Sequence, residues 1–203
     1  MGRDWSSDAG VRARAAVHAA LGEPARLAVV EELASSDRSP RELVDRLAIP
    51  SNLLAHHLDV LEECGLVTRS ESAGDRRRRY VRLVRPTPVP MQLPMRQDRL
   101  PGEVLFLCTH NSARSQLAAA LWVARTGRRA TSAGTSPAAR VHRGAVAAAR
   151  RAGVSLAEAV PAMMAAPAPQ VQVVTVCDLV HEQLQVGDDW WHWSIPDLSL
   201  IHI

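Results

Sequence analysis

Val104-Leu105-Phe106-Leu107-Cys108-Thr109-His110-Asn111-Ser112-Ala113-Arg114-Ser115 is the stretch on which the C-terminal half turns. Its apolar opening predicts a short buried strand, and Gln116–Ala124 beyond it is helix-prone. A cysteine, five residues, an arginine and a serine between strand and helix is the arrangement that wraps successive backbone N–H groups around a tetrahedral anion. Thr109, His110, Asn111, Ser112, Ala113 and Ser115 are therefore the candidate oxyanion-loop residues. A free cysteine with a pKa near ~8.5 is mostly protonated at neutral pH, while inward amides and a helix N-terminus depress that value. Cys108 is the candidate nucleophile. Arg114 offers a planar fork able to bind two oxyanion oxygens and stabilise transition-state charge, a task lysine performs poorly. Ser115 is placed to donate to the thiolate, and Asn111 to brace the loop.

Upstream, Arg85–Gly102 contains Pro86, Pro88, Pro90, Pro94 and Pro101, which remove backbone donors and forbid a continuous helix. The proline-rich segment 86–101 is the expected linker, a semi-stiff spacer between domains at 10–85 and 102–203. In the earlier half, Ser39-Pro40-Arg41-Glu42 has the form of a capping box with proline at the first helical position, and a short helix is expected to end near Ile49. Pro50 and Ser51 restart the chain into a second helix stopped by Gly65. Helical projection puts Leu53, Leu54, His57, Leu58, Val60, Leu61 and Cys64 on one side and Ser51, Asn52, Ala55 and His56 on the other. A recognition helix meets base edges with its N-terminal residues, so the second set is the candidate DNA-reading face. Leu66–Ser70 and Tyr80–Val84 read as a hairpin turning at Gly74 and Asp75, and Arg76, Arg77, Arg78 and Arg79 beside it suit phosphate contact. A merely solvated charged hairpin is the alternative reading of that run. His57 and Cys64 are expected to pack beneath their helix.

Composition narrows the classes. All 24 basic residues are arginine, and the net charge of +3 is too mild to point to nucleic acid without the clustered run. No apolar stretch is long enough to span a bilayer, and no basic-then-apolar leader opens the chain, so a cytoplasmic protein without a membrane partner is expected. Three scattered cysteines, Cys64, Cys108 and Cys177, are too few for a disulfide framework and read as reduced thiols. No metal site is expected.

The N-terminal pieces resemble the arsenic-repressor family of winged helix-turn-helix regulators. Leu21-Gly22-Glu23-Pro24-Ala25-Arg26-Leu27 is similar to its helix-opening signature, and Ser51–Leu61 with His56-His57-Leu58 to its recognition helix. The resemblance implies a homodimer, formed through this domain, on a double-stranded DNA operator. The helix on which the family's best-known sensor carries a cysteine pair here reads Arg41-Glu42-Leu43-Val44-Asp45-Arg46-Leu47, which holds no cysteine.

The C-terminal half resembles the low-molecular-weight protein tyrosine phosphatase superfamily, and within it the arsenate reductases. Ser132-Ala133-Gly134-Thr135 is similar to the loop after the family's second strand, and Val173-Val174-Thr175-Val176-Cys177 to the reductase strand bearing a second cysteine. His192-Trp193-Ser194-Ile195-Pro196-Asp197 is similar to the segment carrying the acid. The resemblance implies a three-layer α/β domain with a parallel sheet, following the mainly α winged helix domain. It also implies attack by Cys108 on arsenate or phosphate, protonation of the leaving oxygen by Asp197, and resolution by Cys177. A tyrosine phosphatase needs no second thiol, so Cys177 favours reduction; as a buried residue at a strand end it would not. The runner-up to the reductase is a regulator whose phosphatase-like half only senses an oxyanion, and a tethered protein phosphatase is the third reading. No tightly bound cofactor is implied, only an external thiol reductant: mycothiol, a glutaredoxin or a thioredoxin system. The thioredoxin-linked reductases carry a third cysteine after the second, and no cysteine follows Cys177. Leu198–Ile203 replaces the family's closing helix and reads like a translated sequencing adapter, so the domain is expected to be truncated there.

Overall fold

A computed structural model of the chain describes residues 8–85, 101–184 and 189–197. It divides into Met1–Glu71 with Arg78–Gln97, and Ser72–Arg77 with Asp98–Ile203. The expected linker, Pro101 excepted, and the tail Leu198–Ile203 lie outside the described residues. Among the described residues no helix is long and apolar enough to cross a membrane.

Local capping accounts for most of the helix starts in the first unit. Asp8 opens α1 (Ala9–Leu21) by accepting from the Gly10 and Val11 N–H groups at 2.8 and 3.2 Å. Pro24 begins α2 (Pro24–Glu32), where the Glu23 carboxylate accepts from Arg26 N at 2.9 Å; that bond holds the Glu23 carboxyl below its ordinary range. The capping box forms at α3 (Pro40–Leu47): Ser39 Oγ accepts from Glu42 N at 3.3 Å and Glu42 Oε2 from Ser39 N at 2.7 Å. Ala48, at φ 51°, ends that helix slightly before the expected Ile49. Then α4 (Ser51–Glu63) buries Leu54, His57, Leu58 and Leu61. The three leucines pack with Val29, Val30 and Leu43 into one apolar cluster, and the burial of each of these side chains is worth about 1.5–3 kcal/mol.

Strands β1 (Val67–Glu71) and β2 (Arg79–Leu83) pair antiparallel from Val67↔Leu83 to Glu71↔Arg79. Each lies one residue nearer the hairpin tip than the sequence reading placed it. Gly65 stops α4 at φ 70°, and Leu66 N donates back to Leu61 O at 2.9 Å, so Leu66 belongs to the helix stop. Arg38 adds a bridge to the other edge of β2, exchanging N–H···O bonds of 3.0 and 2.7 Å with Val81.

The second unit is built on a parallel sheet ordered β4-β3-β5-β6, from β3 (Glu103–Cys108), β4 (Arg129–Gly134), β5 (Gln172–Thr175) and β6 (Trp191–His192). Its helices are α5 (Arg114–Thr126), α6 (Arg143–Arg151) and α7 (Asp178–Gln183). Flanked on both edges, β3 buries Val104, Phe106 and Leu107 completely, which is why it reads as an unbroken apolar run. Helix α5 packs against β3 and β4, and α7 against β3 and β5. Phe106 packs against Trp122 and Trp193, with ring centroids 5.9 and 5.5 Å away. From β3 the chain runs out to β4, then returns past β3 to β5. That reversal places a crevice beyond the carboxyl end of β3, the usual ligand position in such sheets.

Candidate functional site

Cys108 closes β3 at that crevice, and the loop after it is held by its own carbonyls. Thr135, Ser136, Ala138 and His142 donate their N–H groups to the carbonyls of Cys108, Thr109, His110 and Ser112 at 3.4, 2.9, 2.9 and 2.8 Å. Asn111 O accepts from Gln116 Nε2 at 3.2 Å. With those carbonyls drawn outward, the peptide N–H groups turn the other way, as an anion cradle requires. No side chain caps α5 at Ala113, which leaves its first N–H groups available to the same cradle.

Asn111 sits in the left-handed region at φ 46° and is fully buried. Its N–H donates to Cys108 Sγ at 3.2 Å, while its Nδ2 donates to Ser115 Oγ at 2.8 Å and Ser132 Oγ at 2.9 Å. Asn111 Oδ1 accepts from Gln116 Nε2 at 3.0 Å and Ala162 N at 2.8 Å, which assigns the amide orientation. Ser115 Oγ, which accepts from Asn111 Nδ2, also lies 3.0 Å from Cys108 Sγ. The Asn111 N–H and the Ser115 hydroxyl thus both converge on the sulfur.

Gly134 is the other half of the cradle. It lies opposite Cys108 in register, and a Cβ built on it would stand 2.5 Å from Thr109 O and 3.0 Å from Asn111 N. Only glycine admits this approach of β4 to the loop. The roles of Gln116, Ser132, Gly134 and the 135–142 segment escaped the sequence reading, since their partners are far away along the chain. A cavity of about 420 Å³, lined by Ser112, Ala138, Arg140, Val141, His142 and Arg143, adjoins the loop.

Arg114 opens α5 with its side chain largely buried; Nη1 donates to Ile195 O at 3.2 Å and Nη2 lies 3.5 Å from Asp197 Oδ2. The Asp197 side chain is half exposed, so the expected acid lies beside the expected anion fork with access to solvent. His110 is exposed at the loop rim; Thr109, Ser112 and Ala113 are half-buried. Cys177 is buried as the N-cap of α7, and its sulfur lies 3.5 Å from Thr109 Oγ1. Both Cys108 and Cys177 are free thiols. Among the described residues no group of three or more His, Cys, Asp or Glu is placed to hold a metal ion.

The sequence reading also missed a polar network behind Cys177. His192, Asp178, Thr175 and His181 are all buried there, and His192 Nε2 stands 3.1 Å from Asp178 Oδ1. Burial pushes the Asp178 carboxyl up, but hydrogen bonds from His192, the Ala73 N–H and Ser194 outweigh it and hold the group below the ordinary carboxylate range.

On α4 the four expected reading residues, Ser51, Asn52, Ala55 and His56, are all exposed. Leu53, expected on the packed side, is 43% exposed: it falls at the margin of the apolar stripe in the first turn of the helix. His57 is buried as expected, 3.7 Å from Glu23, and Cys64 is half-buried with its sulfur 3.7 Å from Ala16 O. Arg69 of β1 pairs with Asp59 and Glu62 in the C-terminal half of α4, while the N-terminal half of that helix holds no acid. Arg76, Arg77, Arg78 and Arg79 are exposed, but not equivalent. Arg77 pairs with Asp75 at 3.0 Å and Arg79 with Glu71 at 3.2 Å.

Two family models match, one to each half. Residues 23–78 match the MarR family and residues 103–185 the low molecular weight phosphotyrosine protein phosphatase family. Each match covers less than half of the chain, and the two do not overlap. It is 43% identical over 56 residues to the HTH-type transcriptional repressor SmtB of Mycobacterium tuberculosis, a match covering 28% of this chain and 42% of that protein. The chain therefore spans less than half the length of the curated relatives it matches. The phosphatase-type half is similar to a thioredoxin-dependent arsenate reductase of Corynebacterium glutamicum, at 26% identity, TM-score 0.38, and coverage of 46% of this chain and 49% of that one. The helix-turn-helix half is similar to an ArsR-like transcriptional regulator from Rhodococcus sp. RHA1, at 32% identity, TM-score 0.33, and coverage of 36% and 66%.

Proposed function

We propose that the chain is a DNA-binding regulator whose second half reduces arsenate with thiol chemistry at Cys108. The observation that carries the chemistry is the sulfur of Cys108 accepting from Asn111 N and lying 3.0 Å from the Ser115 hydroxyl, at the start of a loop with Arg114 and Asp197 paired beside it. In this reading the Cys108 thiolate attacks arsenic, an As–O bond breaks, and Asp197 gives the leaving oxygen its proton. Arg114 and the loop amides hold the remaining oxygens and the developing charge. The Cys177 sulfur then attacks Cys108; the S–As electron pair stays on arsenic, which leaves as arsenite, and each sulfur has given up one electron. An external thiol, from mycothiol, a glutaredoxin or a thioredoxin system, returns the disulfide to two thiols.

The first half reads an operator through Ser51, Asn52, Ala55 and His56, with phosphate contact from the arginines of the hairpin and a homodimer formed through this half. Support comes from the exposure of that helix face and the match to a repressor segment. A reducing cytoplasmic setting suits three unpaired cysteines.

The test is arsenite production from arsenate with each thiol donor in turn, for the full chain and Cys108→Ser. Turnover by the full chain alone establishes the reductase. Hydrolysis of an aryl phosphate without any arsenite would make the protein a phosphatase, the reading favoured by the position of the Cys177 sulfur against Thr109. No turnover with either substrate, alongside arsenate-dependent operator binding, would leave an oxyanion sensor.

A further inference from the structure

The buried network behind Cys177 has no part in oxyanion binding, yet it grips the residues on both sides of that cysteine. His192 Nδ1 lies 2.9 Å from Thr175 Oγ1 and 3.2 Å from Thr175 O, two residues before Cys177. Its Nε2 lies 3.1 Å from Oδ1 of Asp178, the residue directly after Cys177. A carboxylate oxygen only accepts, so Nε2 carries the proton in that bond. His181 stacks on His192 with centroids 4.1 Å apart, bonds the same Thr175 hydroxyl through Nδ1 at 3.1 Å, and donates its N–H to Cys177 O at 3.1 Å. Thr175 through Asp178 is pinned at both ends and from the following helical turn.

The register shows where this pinning aims the sulfur. The β3–β5 register ends at Leu107↔Thr175, and Val176 N still donates to Leu107 O at 2.8 Å. Paired residues share a face and successive ones alternate, so Cys108 falls on the face opposite to Leu107 and Thr175, while Cys177, extended at φ −155° and ψ 121° two residues past Thr175, returns to the Thr175 face and away from Cys108. The 3.5 Å distance from Cys177 Sγ to Thr109 Oγ1 agrees. A Cys108 to Cys177 bond therefore needs the first turn of α7 to let go.

We propose that His192 and Asp178 are positioning residues that restrain Cys177 on the Thr109 side, so that its sulfur becomes reactive when their hydrogen bond opens. Its consequence for turnover rests on the reading of Cys177 as the resolving thiol; the restraint itself does not. Opening frees the Cys177 sulfur to attack Cys108 as described, or, with diamide as oxidant, lets the two thiols give two electrons and two protons to the diazene bond.

The experiment measures alkylation of each cysteine of the full chain by N-ethylmaleimide, resolved by peptide mass mapping. A hydrogen bond to a charged group is worth about 1.5–3 kcal/mol, so Asp178→Asn is expected to speed Cys177 labelling about tenfold or more while Cys108 labelling is unchanged. His192→Asn keeps an amide near the Nδ1 position and loses the reach to Asp178, and should match Asp178→Asn. His192→Gln keeps a donor near the Nε2 position and should stay near the parent rate. Equal rates in the parent and a cooperatively melting Asp178→Asn or His192→Asn protein would overturn the proposal. So would equal acceleration by His192→Asn and His192→Gln, which marks packing loss alone. Diamide treatment separates the two ideas: labelling that follows the expected order with no Cys108 to Cys177 disulfide in any variant sustains the restraint and rejects the resolving role.

Discussion

The capping box at Ser39 and the cradle at Cys108 are both small polar constructions at a helix start, yet they are assembled over very different distances. Ser39 and Glu42 exchange hydrogen bonds three residues apart, so the partners are adjacent before any tertiary structure exists. The cradle draws Asn111 to Ser132 and Ala162, Gln116 to Val160, and Thr109 against Gly134. Each of those pairings requires the sheet order to be set first. Local construction tolerates change around it, while a site closed by strands β3, β4 and β5 transmits any displacement to the sulfur.

The sharpest way to break the comparison is Cys108→Ser. It should abolish arsenite formation, a loss of at least about a thousandfold, yet leave operator affinity within about twofold by fluorescence anisotropy. An equal loss of DNA binding would mean that the two halves do not work as separate constructions. Gly134→Ala is next: its methyl group would meet Thr109 O at 2.5 Å, so the loop must shift. The expected cost is about a hundredfold in turnover, checked by steady-state kinetics, again without effect on the operator. Full activity would show that the loop is freer than its hydrogen bonds indicate.

In the other half, Arg76→Ala with Arg78→Ala should weaken binding to all sequences by about tenfold and lower the salt slope by about 2. Arg77→Ala should do less, because Asp75 already holds that guanidinium at 3.0 Å. A salt slope unmoved by the double change would return the run to a solvated hairpin. The smallest effect concerns acid. Since Asp178 is depressed below the ordinary carboxylate value of about 4, its contribution to stability is complete above that pH and is lost as pH falls through the lower folded value. Asp178→Asn should therefore flatten the stability of the second half in that acid range, and an unaltered acid-unfolding curve would sever the network from stability.

Much of this was legible without coordinates. The strand-loop-helix around Cys108 follows from an apolar run meeting a glycine-free polar loop, and α3 and α4 follow from Ser39, Pro40, Pro50 and Gly65. Leu53 was misplaced because helical periodicity says which face a residue is on, not how far the neighbouring helices extend over it. Gly134 and Gln116 were unreadable as loop supports, since a lone glycine and a lone glutamine have many ordinary uses.

What the amino-acid order determined by itself was a set of features whose partners lie within a few residues: the capping box of α3, the apolar stripe of α4 and the strand-loop-helix around Cys108. Backbone stereochemistry and hydrogen bonding act at that range without help. What the tertiary structure decided was which distant groups converge. It set Asp197 beside Arg114, closed Gly134 on the loop, and turned the Cys177 sulfur toward Thr109. Those outcomes depend on strand order and on the alternation of side chains across a parallel sheet, which exist only after the chain has crossed back over β3.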